Sequence, residues 1–471
     1  MQGPSEPTIQ RVKMKQIYIV LALLLWYSMG EAQKIQMPLS TRRSLSNGLT
    51  VILMEYRKVP VVHYRLITRG GSAQDPDGLE GIASITTALM RQGTATRTAT
   101  QLAQEVDFMG GTLSASAGFD YCAVNGQVLK KDMDAGLDLF SDIILNPVFS
   151  QEELERERKQ RLADLEAIKE DPHRAAGVMF NKTVYGTHPY GRQSSGTKTS
   201  IGSFTQEQVL EYYRRVFLPN NSILVVVGDF VSKDMLAKIE SKFGGWKSGE
   251  MKDRSLLHPA KINGKKVVLV DKPDATQTQI WIGNIGVDAG HPDNFAIDVA
   301  NTVFGSSFTS RLMDELRVKR SLTYGASSSF PSNLYGGTYV ISTFTKNETL
   351  TETVDVVLEE IRKYREKGGT VEEVKKAQNY LSGEFARSLQ TPEALAFNIT
   401  SVELYGFPKN YLDTYIEKLK AVSNADVQRV VSRHFLLNDL LFVFVGPAKL
   451  DSSIVERYGP TSVVDLKDAV Q

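Results

Sequence analysis

Two side chains in the stretch from Phe304 to Phe330, FGSSFTSRLMDELRVKRSLTYGASSSF, have the types and spacing to act together on a polar substrate. Arg317 and Tyr324 stand seven residues apart. A guanidinium is a rigid fork of N–H donors and a phenol offers one O–H. Converging on one point, they would hydrogen-bond a peptide carbonyl or stabilise negative charge growing on its oxygen. Their surroundings read as a helix followed by a turn. Leu312, Met313 and Leu316 recur at helical spacing behind Gly305-Ser306-Ser307. Arg311, Arg317, Lys319 and Arg320 gather toward the helix end, where cations favour the dipole. Tyr324-Gly325 then opens a turn into a strand. Taken alone, the stretch reads rather as a solvated basic helix end with a tyrosine packed beneath it, and the rest of the chain moves the reading off that.

Few other residues offer chemistry. The histidines are His63, His173, His188, His258, His291 and His434, and none lies four residues from another. His188, within HPYGR, reads as a hydrogen-bonded loop residue. Cys122 is the only cysteine, so neither an internal disulfide nor a thiolate metal site is available. Its setting, FDYCAV, is that of a small buried hydrophobe. With 55 basic against 54 acidic residues and no basic block interleaved with aromatics, nucleic acid is not an expected partner.

The elements that must position these groups come twice. Leu45–Glu55 reads as a hairpin around Asn47-Gly48, and Val59–Thr68 as a second strand. A helix is predicted over Leu79–Gln92, and two strands around Gly118 over Thr112–Val128. Helices over Met133–Leu145, Gln151–Ile168 and Thr205–Phe217 then lead to a buried strand, Ser222–Gly228. Further along, Lys266–Asp271 echoes Thr50–Glu55 at an offset of 216, and Arg433–Asn438 echoes Arg215–Asn220 at 218. Gly446 echoes Gly228, again at 218. So constant an offset predicts an internal duplication. The expected fold is α+β: two homologous domains, 33–246 and 265–471, each a mixed or antiparallel sheet packed with helices. Residues 247–264, charged and without periodicity, form the expected linker.

Ahead of these domains, Ile17–Tyr27 is an eleven-residue apolar run behind Lys13 and Lys15, with Gly30-Glu31-Ala32 after it. Too short to span a bilayer comfortably, it predicts a cleaved export signal over residues 1–32, with Met14 as an alternative start. The expectation is a periplasmic protein with no membrane attachment after cleavage. An uncleaved N-terminal anchor is the alternative.

In order and spacing, several motifs together resemble the pitrilysin/insulinase family of zinc metallopeptidases, in its two-domain bacterial and mitochondrial-processing-type branch. They are NGLTVIL at 47–53, GSAQDPDGLEGIA at 71–83, RQGT at 91–94 and NPVFSQEELERER at 146–158. HPYGR at 188–192, RRVFLPNNSILVVVGD at 214–229 and FGSSFTSRLMDELRVKRSLTYG from Phe304 complete the set. The resemblance implies two like domains facing each other as halves of a shell. It also implies an inverted zinc motif, His-x-x-Glu-His, on the first helix of one half. Aligned on Gly93-Thr94, that motif falls on Ser84, Thr87 and Ala88 in place of histidine, glutamate and histidine. Asp164, 76 residues beyond Ala88, falls where the third protein ligand belongs. The catalytic groups are therefore absent, whereas Arg317 and Tyr324 match the family's pair that reaches across from the second domain. The resemblance thus implies a non-catalytic subunit that binds no metal itself. Its expected partners are a peptide substrate and a homologous zinc-bearing chain whose active site Arg317 and Tyr324 complete. A purely structural or assembly protein of the same fold is the alternative.

Overall fold

The computed structural model describes residues 37–250, 256–449 and 455–469. The apolar run and the expected cleavage site near Gln33 lie outside the described residues, as do 251–255 of the expected linker.

The first half contains strands β1 (Ser40–Ser44), β2 (Thr50–Glu55) and β3 (Val61–Arg69), then helices α1 (Ile82–Leu89) and α2 (Ala99–Phe108). Strands β4 (Thr112–Ala117) and β5 (Tyr121–Leu129) lead into α3 (Met133–Leu145), α4 (Gln151–Glu170) and α5 (Pro172–Tyr185). Helices α6 (Lys198–Ser203) and α7 (Gln206–Val216), strand β6 (Ser222–Gly228) and helix α8 (Ser232–Phe243) close it. The second half opens with β7 (Lys265–Asp271), β8 (Gln277–Ile285), α9 (Asn294–Asn301) and a short α10 (Arg311–Met313). It continues through β9 (Ala326–Ser329), β10 (Ser332–Asn333), β11 (Gly336–Lys346), α11 (Leu350–Lys367), α12 (Val371–Arg387) and α13 (Pro392–Leu404). It ends with α14 (Tyr411–Ala421), α15 (Asn424–His434), β12 (Leu440–Gly446), β13 (Thr461–Asp465) and α16 (Leu466–Ala469).

The duplication is visible in the strand order. One sheet runs β1-β2-β6-β3-β5-β4, and the other places β7, β12, β8 and β11 as the counterparts of β2, β6, β3 and β5. β9 pairs with β11 as β4 does with β5. In both sheets the first two of these strands run parallel, so Glu55 lies opposite Gly228 and Asp271 opposite Gly446. The two carboxylates also do similar work. Glu55 accepts the Ser232 N–H at the start of α8, and Asp271 accepts that of Ala448. The outermost strands differ: β1 is antiparallel to its neighbour and β13 parallel, and β10, paired with β11, has no counterpart in the first sheet.

The two sheets belong to one compact unit, Pro38 onward, because each half covers a face of the other. Helix α5, from the first half, packs on β8 and β12. Its Ala176, Phe180 and Val184 share an apolar cluster with Val268, Val270, Leu441, Val443 and Val445. Helix α13, from the second half, packs on β3 and β6. There the Arg65 Nε donates to Thr400 Oγ1 at 2.9 Å, and its guanidinium stacks 5.1 Å from the Phe397 ring.

This exchange needs close approach. A Cβ on Gly283 would lie 1.8 Å from the Tyr339 carbonyl oxygen and 3.0 Å from Phe180 Cζ. Gly283→Ala is expected to lower stability by about 3 kcal/mol, since the nearest obstruction is backbone and cannot give. Thermal unfolding beside Gly202→Ala, whose Cβ would meet nothing within 4 Å, checks this. The control is expected to melt unchanged or slightly higher.

Candidate functional site

Helix α1 carries the three positions that stand where the zinc motif belongs, and a buried aspartate sets its start. Asp75 accepts the N–H groups of Gly81 at 2.7 Å and Ala83 at 3.1 Å. Burial pushes the Asp75 carboxyl up to about 8, while these two donors pull it the other way. Gly81 has φ 91°, a conformation that favours glycine, and any Cβ there would press within 2.6 Å of the Gly196 backbone. The helix is shorter at both ends than predicted, because residues 79–81 form the turn that Asp75 organises.

An arginine from α4 reaches the first of the predicted positions. Ser84 and Ala88 lie half-buried on the α1 face toward α4, with Thr87 buried. The Thr87 hydroxyl is turned into its own helix, donating to the carbonyls of Ala83 and Ser84 at 3.1 and 2.9 Å. From α4, Arg161 donates through Nη1 to Ser84 Oγ and through Nη2 to the Ser84 carbonyl, both at 3.0 Å. Its Nε donates to Glu157 Oε1 at 2.9 Å, one turn back on the same helix. Burial lowers the pKa of Arg161 from its ordinary value, with Glu157 and Asp164 acting in the opposite sense. Asp164 is exposed and accepts from Gln160 Nε2 at 3.0 Å.

These residues do not fit a zinc ion. Ala88 has no donor atom, the Thr87 hydroxyl is committed to backbone, and Ser84 Oγ already receives an N–H. A guanidinium, cationic at any ordinary pH, stands among them. Arg161 is absent from the sequence expectation, since only the packing of α4 on α1 shows where it points.

The histidines are mostly structural. His188 Nδ1 accepts the Tyr190 N–H at 3.2 Å, capping the turn Pro189–Gly191, as a loop histidine should. His63 is buried on β3, and burial, reinforced by Arg65, pushes its pKa down to about 4. One outcome differs from the sequence reading, which found no histidines brought together. The ligand atoms of His291, Asp293 and His434 lie within 4.8 Å of one another, across a separation that spacing could not reveal. These groups are paired with one another and with two arginines. Asp293 pairs with Arg429 at 2.6 Å and His434 Nε2 at 3.0 Å, with Arg433 at 3.9 Å. His291 Nδ1 accepts the Asp293 N–H at 3.1 Å. Two guanidinium groups on the only carboxylate make this an ion-pair cluster at the start of α9.

Arg317 and Tyr324 are placed differently. The expected helix is present but wide: α10 passes into a π-helical segment, Asp314–Lys319, that carries Arg317. The chain then reverses at Ser321, φ 55°, where the Leu322 N–H bonds the Leu316 carbonyl at 2.8 Å. Such π segments are frequent at functional sites. Arg317 has no ion pair or hydrogen bond from its guanidinium among the described residues; its one recorded contact is the Phe308 ring at 5.0 Å. Tyr324 is 80% exposed, so it is not the packed ring of the bland reading. No hydrogen bond joins the two, and none links either to the first half, among the described residues. Neighbouring Arg311 is the contrary case. It pairs with Glu373 at 2.6 Å and lies 4.6 Å over the Tyr364 ring.

Beside α1, strand β4 forms the sheet edge, and no strand pairs its outer side among the described residues. Its small side chains, Ser114-Ala115-Ser116-Ala117, leave room for an added strand. Cys122, on β5, is fully buried, and burial pushes its thiol up to about 12, as expected of a packing residue.

Comparison with known proteins agrees with this architecture. Residues 50–198 match the family described as Insulinase (Peptidase family M16), and residues 203–381 the Peptidase M16 inactive domain. The uncharacterized zinc protease YmxG of Bacillus subtilis is 23% identical over 86% of this chain and 98% of its own. An uncharacterized zinc protease of Mycobacterium leprae is 29% identical, over 61% of this chain and 65% of that protein. Among solved structures, a peptidase M16 inactive domain from Pseudomonas fluorescens superposes with a TM-score of 0.82 at 26% identity, covering 87% of this chain and 98% of that one. A protease from Helicobacter pylori gives 0.79 at 22% identity, covering 87% and 100%, a likeness of fold. With its two matched regions spanning most of the sequence and its two sheets built to one plan, the chain belongs to the pitrilysin/insulinase (M16) peptidase family, as a member that lacks the zinc motif.

Proposed function

We propose that this chain is the non-catalytic, substrate-binding subunit of a two-chain zinc metallopeptidase. It binds no metal; a homologous partner carrying His-x-x-Glu-His supplies the zinc. The carrying observation is a contrast in how two groups of side chains are used. Around Ser84 the donors are consumed internally and a guanidinium fills the place, whereas Arg317 and Tyr324 are left uncommitted at the surface. Side chains that hold nothing within their own chain are available to a partner or substrate, and Arg317 and Tyr324 are such a pair.

In this reading the chain holds an extended peptide by backbone pairing along β4, which fixes its direction. Arg317 and Tyr324 donate to the carbonyl oxygen of the bond to be cut, most strongly when that oxygen carries developing charge. In this reading residues 1–32 export this chain to the periplasm.

Co-production with a homologue bearing the zinc motif, followed by cleavage of an unstructured peptide, tests this. Cleavage is expected from the pair and from neither chain alone. Chelator-sensitive cleavage by this chain in isolation would overturn it. A stable pair whose activity ignores Arg317 and Tyr324 points instead to an assembly role.

A further inference from the structure

At the seam between the halves, α5, the loop through residues 186–197 and β8 enclose a cavity of about 550 Å³, within the range of small-ligand pockets. Its floor is apolar, formed by Phe119, Ile168, Val178 and Trp281. Its rim is basic. Arg174 and Lys182 stand one turn before and one turn after Val178, so helical spacing puts all three on one face of α5. Neither cation has a carboxylate partner among the described residues. A third, Arg192, is held in place by Asp77 and by the Asp75 carbonyl at 3.1 Å. Glu80 is the one acidic lining residue.

Trp281 closes the floor from the other side. It comes from the second half, and its ring lies so close to α5 that a Cβ on Gly177 would meet Cη2 at 3.0 Å. The indole Nε1–H is buried and has no acceptor in the protein among the described residues. Cations without carboxylate partners, over an apolar floor, describe the complement of an acidic ligand with an apolar side chain.

The position fits a peptide. Ser195 lines the cavity, and its carbonyl lies 3.5 Å from Arg161 Nη1. Ile168 is one turn beyond Asp164 on α4, so the cavity adjoins the degenerate metal position. From this geometry we infer that the cavity is a recognition pocket for acidic peptide segments carrying a bulky apolar side chain. The inference rests on the peptide-binding reading above and names its substrate class.

Fluorescence anisotropy with the mature chain tests it, using two labelled decapeptides, one alternating Glu with Leu and Phe, the other Lys with the same residues. The acidic peptide is expected to bind about ten-fold or more tightly than the basic one. The double reversal Arg174→Glu with Lys182→Glu, both at exposed positions, is expected to remove that preference. An equal change in net charge elsewhere, Lys409→Glu with Lys420→Glu, is expected to leave it intact. Equal binding of the two peptides, equal loss in the control, or full displacement by millimolar inorganic phosphate would each overturn the inference. Failure of the functional reading looks different: acidic peptide still binds, but no zinc-bearing partner confers cleavage. Conversely, cleavage by a pair that depends on Arg317 but not on Arg174 and Lys182 removes this inference alone.

Discussion

Arg317→Ala is expected to lower the turnover of the proposed two-chain peptidase by about 10²–10³-fold and to leave the melting of this chain unchanged. The two halves of that expectation come from one fact: the guanidinium holds nothing in its own protein beyond a stacked, exposed Phe308. A donor aimed at charge that develops only during reaction contributes to kcat, whereas one that merely grips the ground state contributes to KM. Tyr324→Phe separates these further, since it deletes a single O–H from a ring that is 80% exposed. It is expected to follow Arg317→Ala in kcat. Arg311→Ala gives the opposite pattern. Its fork on Glu373, its bond to the Gly368 carbonyl at 2.9 Å and its stacking on Tyr364 tie α10 to α11 and α12. Losing it costs about 2 kcal/mol of stability. Steady-state kinetics beside thermal unfolding reads both. A rise in KM alone for Arg317→Ala would reduce the pair to a binding contact, and no change at all would remove it from the site.

That distinction between two arginines six residues apart was not legible in the sequence, where both sit on one basic helix end. Periodicity and turn chemistry carried the regular parts well. Helix Met133–Leu145 and strand Ser222–Gly228 have the predicted bounds, because apolar spacing and burial coincide there. The duplication, too, shows as paired parallel strands with Gly228 and Gly446 in matching registers. Helices α2 and α5 lie outside the elements predicted from apolar spacing, although both announce themselves locally. Thr98 and Gln101 form a capping box, and Asp171 caps a helix that begins with Pro172. What no local pattern could supply was contact across distance. The exchange of α5 and α13 between halves, the meeting of His434 with Asp293, and the Arg161 bond to Ser84 each join segments tens to hundreds of residues apart. The empty metal motif was readable from residue types; what fills its place was not.

Restoring the motif is therefore expected to fail unless Arg161 goes as well. A triple variant, Ser84→His, Thr87→Glu and Ala88→His, puts the family's ligands back on α1 but leaves a guanidinium facing them from α4. At an effective dielectric of about 20, unit charges about 4 Å apart repel by about 4 kcal/mol, and a dication doubles this. Even half of the single-charge value is worth more than ten-fold in affinity. The triple variant is expected to bind zinc weakly and below stoichiometry, while adding Arg161→Leu and Asp164→Glu raises affinity by about 10²-fold or more. Elemental analysis after dialysis and competition with a chromogenic chelator measure this directly. Because Arg161 also ties α4 to the Ser84 carbonyl, each variant needs a melting curve, with about 1–2 kcal/mol lost on its removal alone. Stoichiometric zinc in the triple variant with Arg161 in place would show that the arginine swings aside at no great cost. The cation at that position would then be an occupant of convenience, and the degenerate site a pocket still shaped for metal.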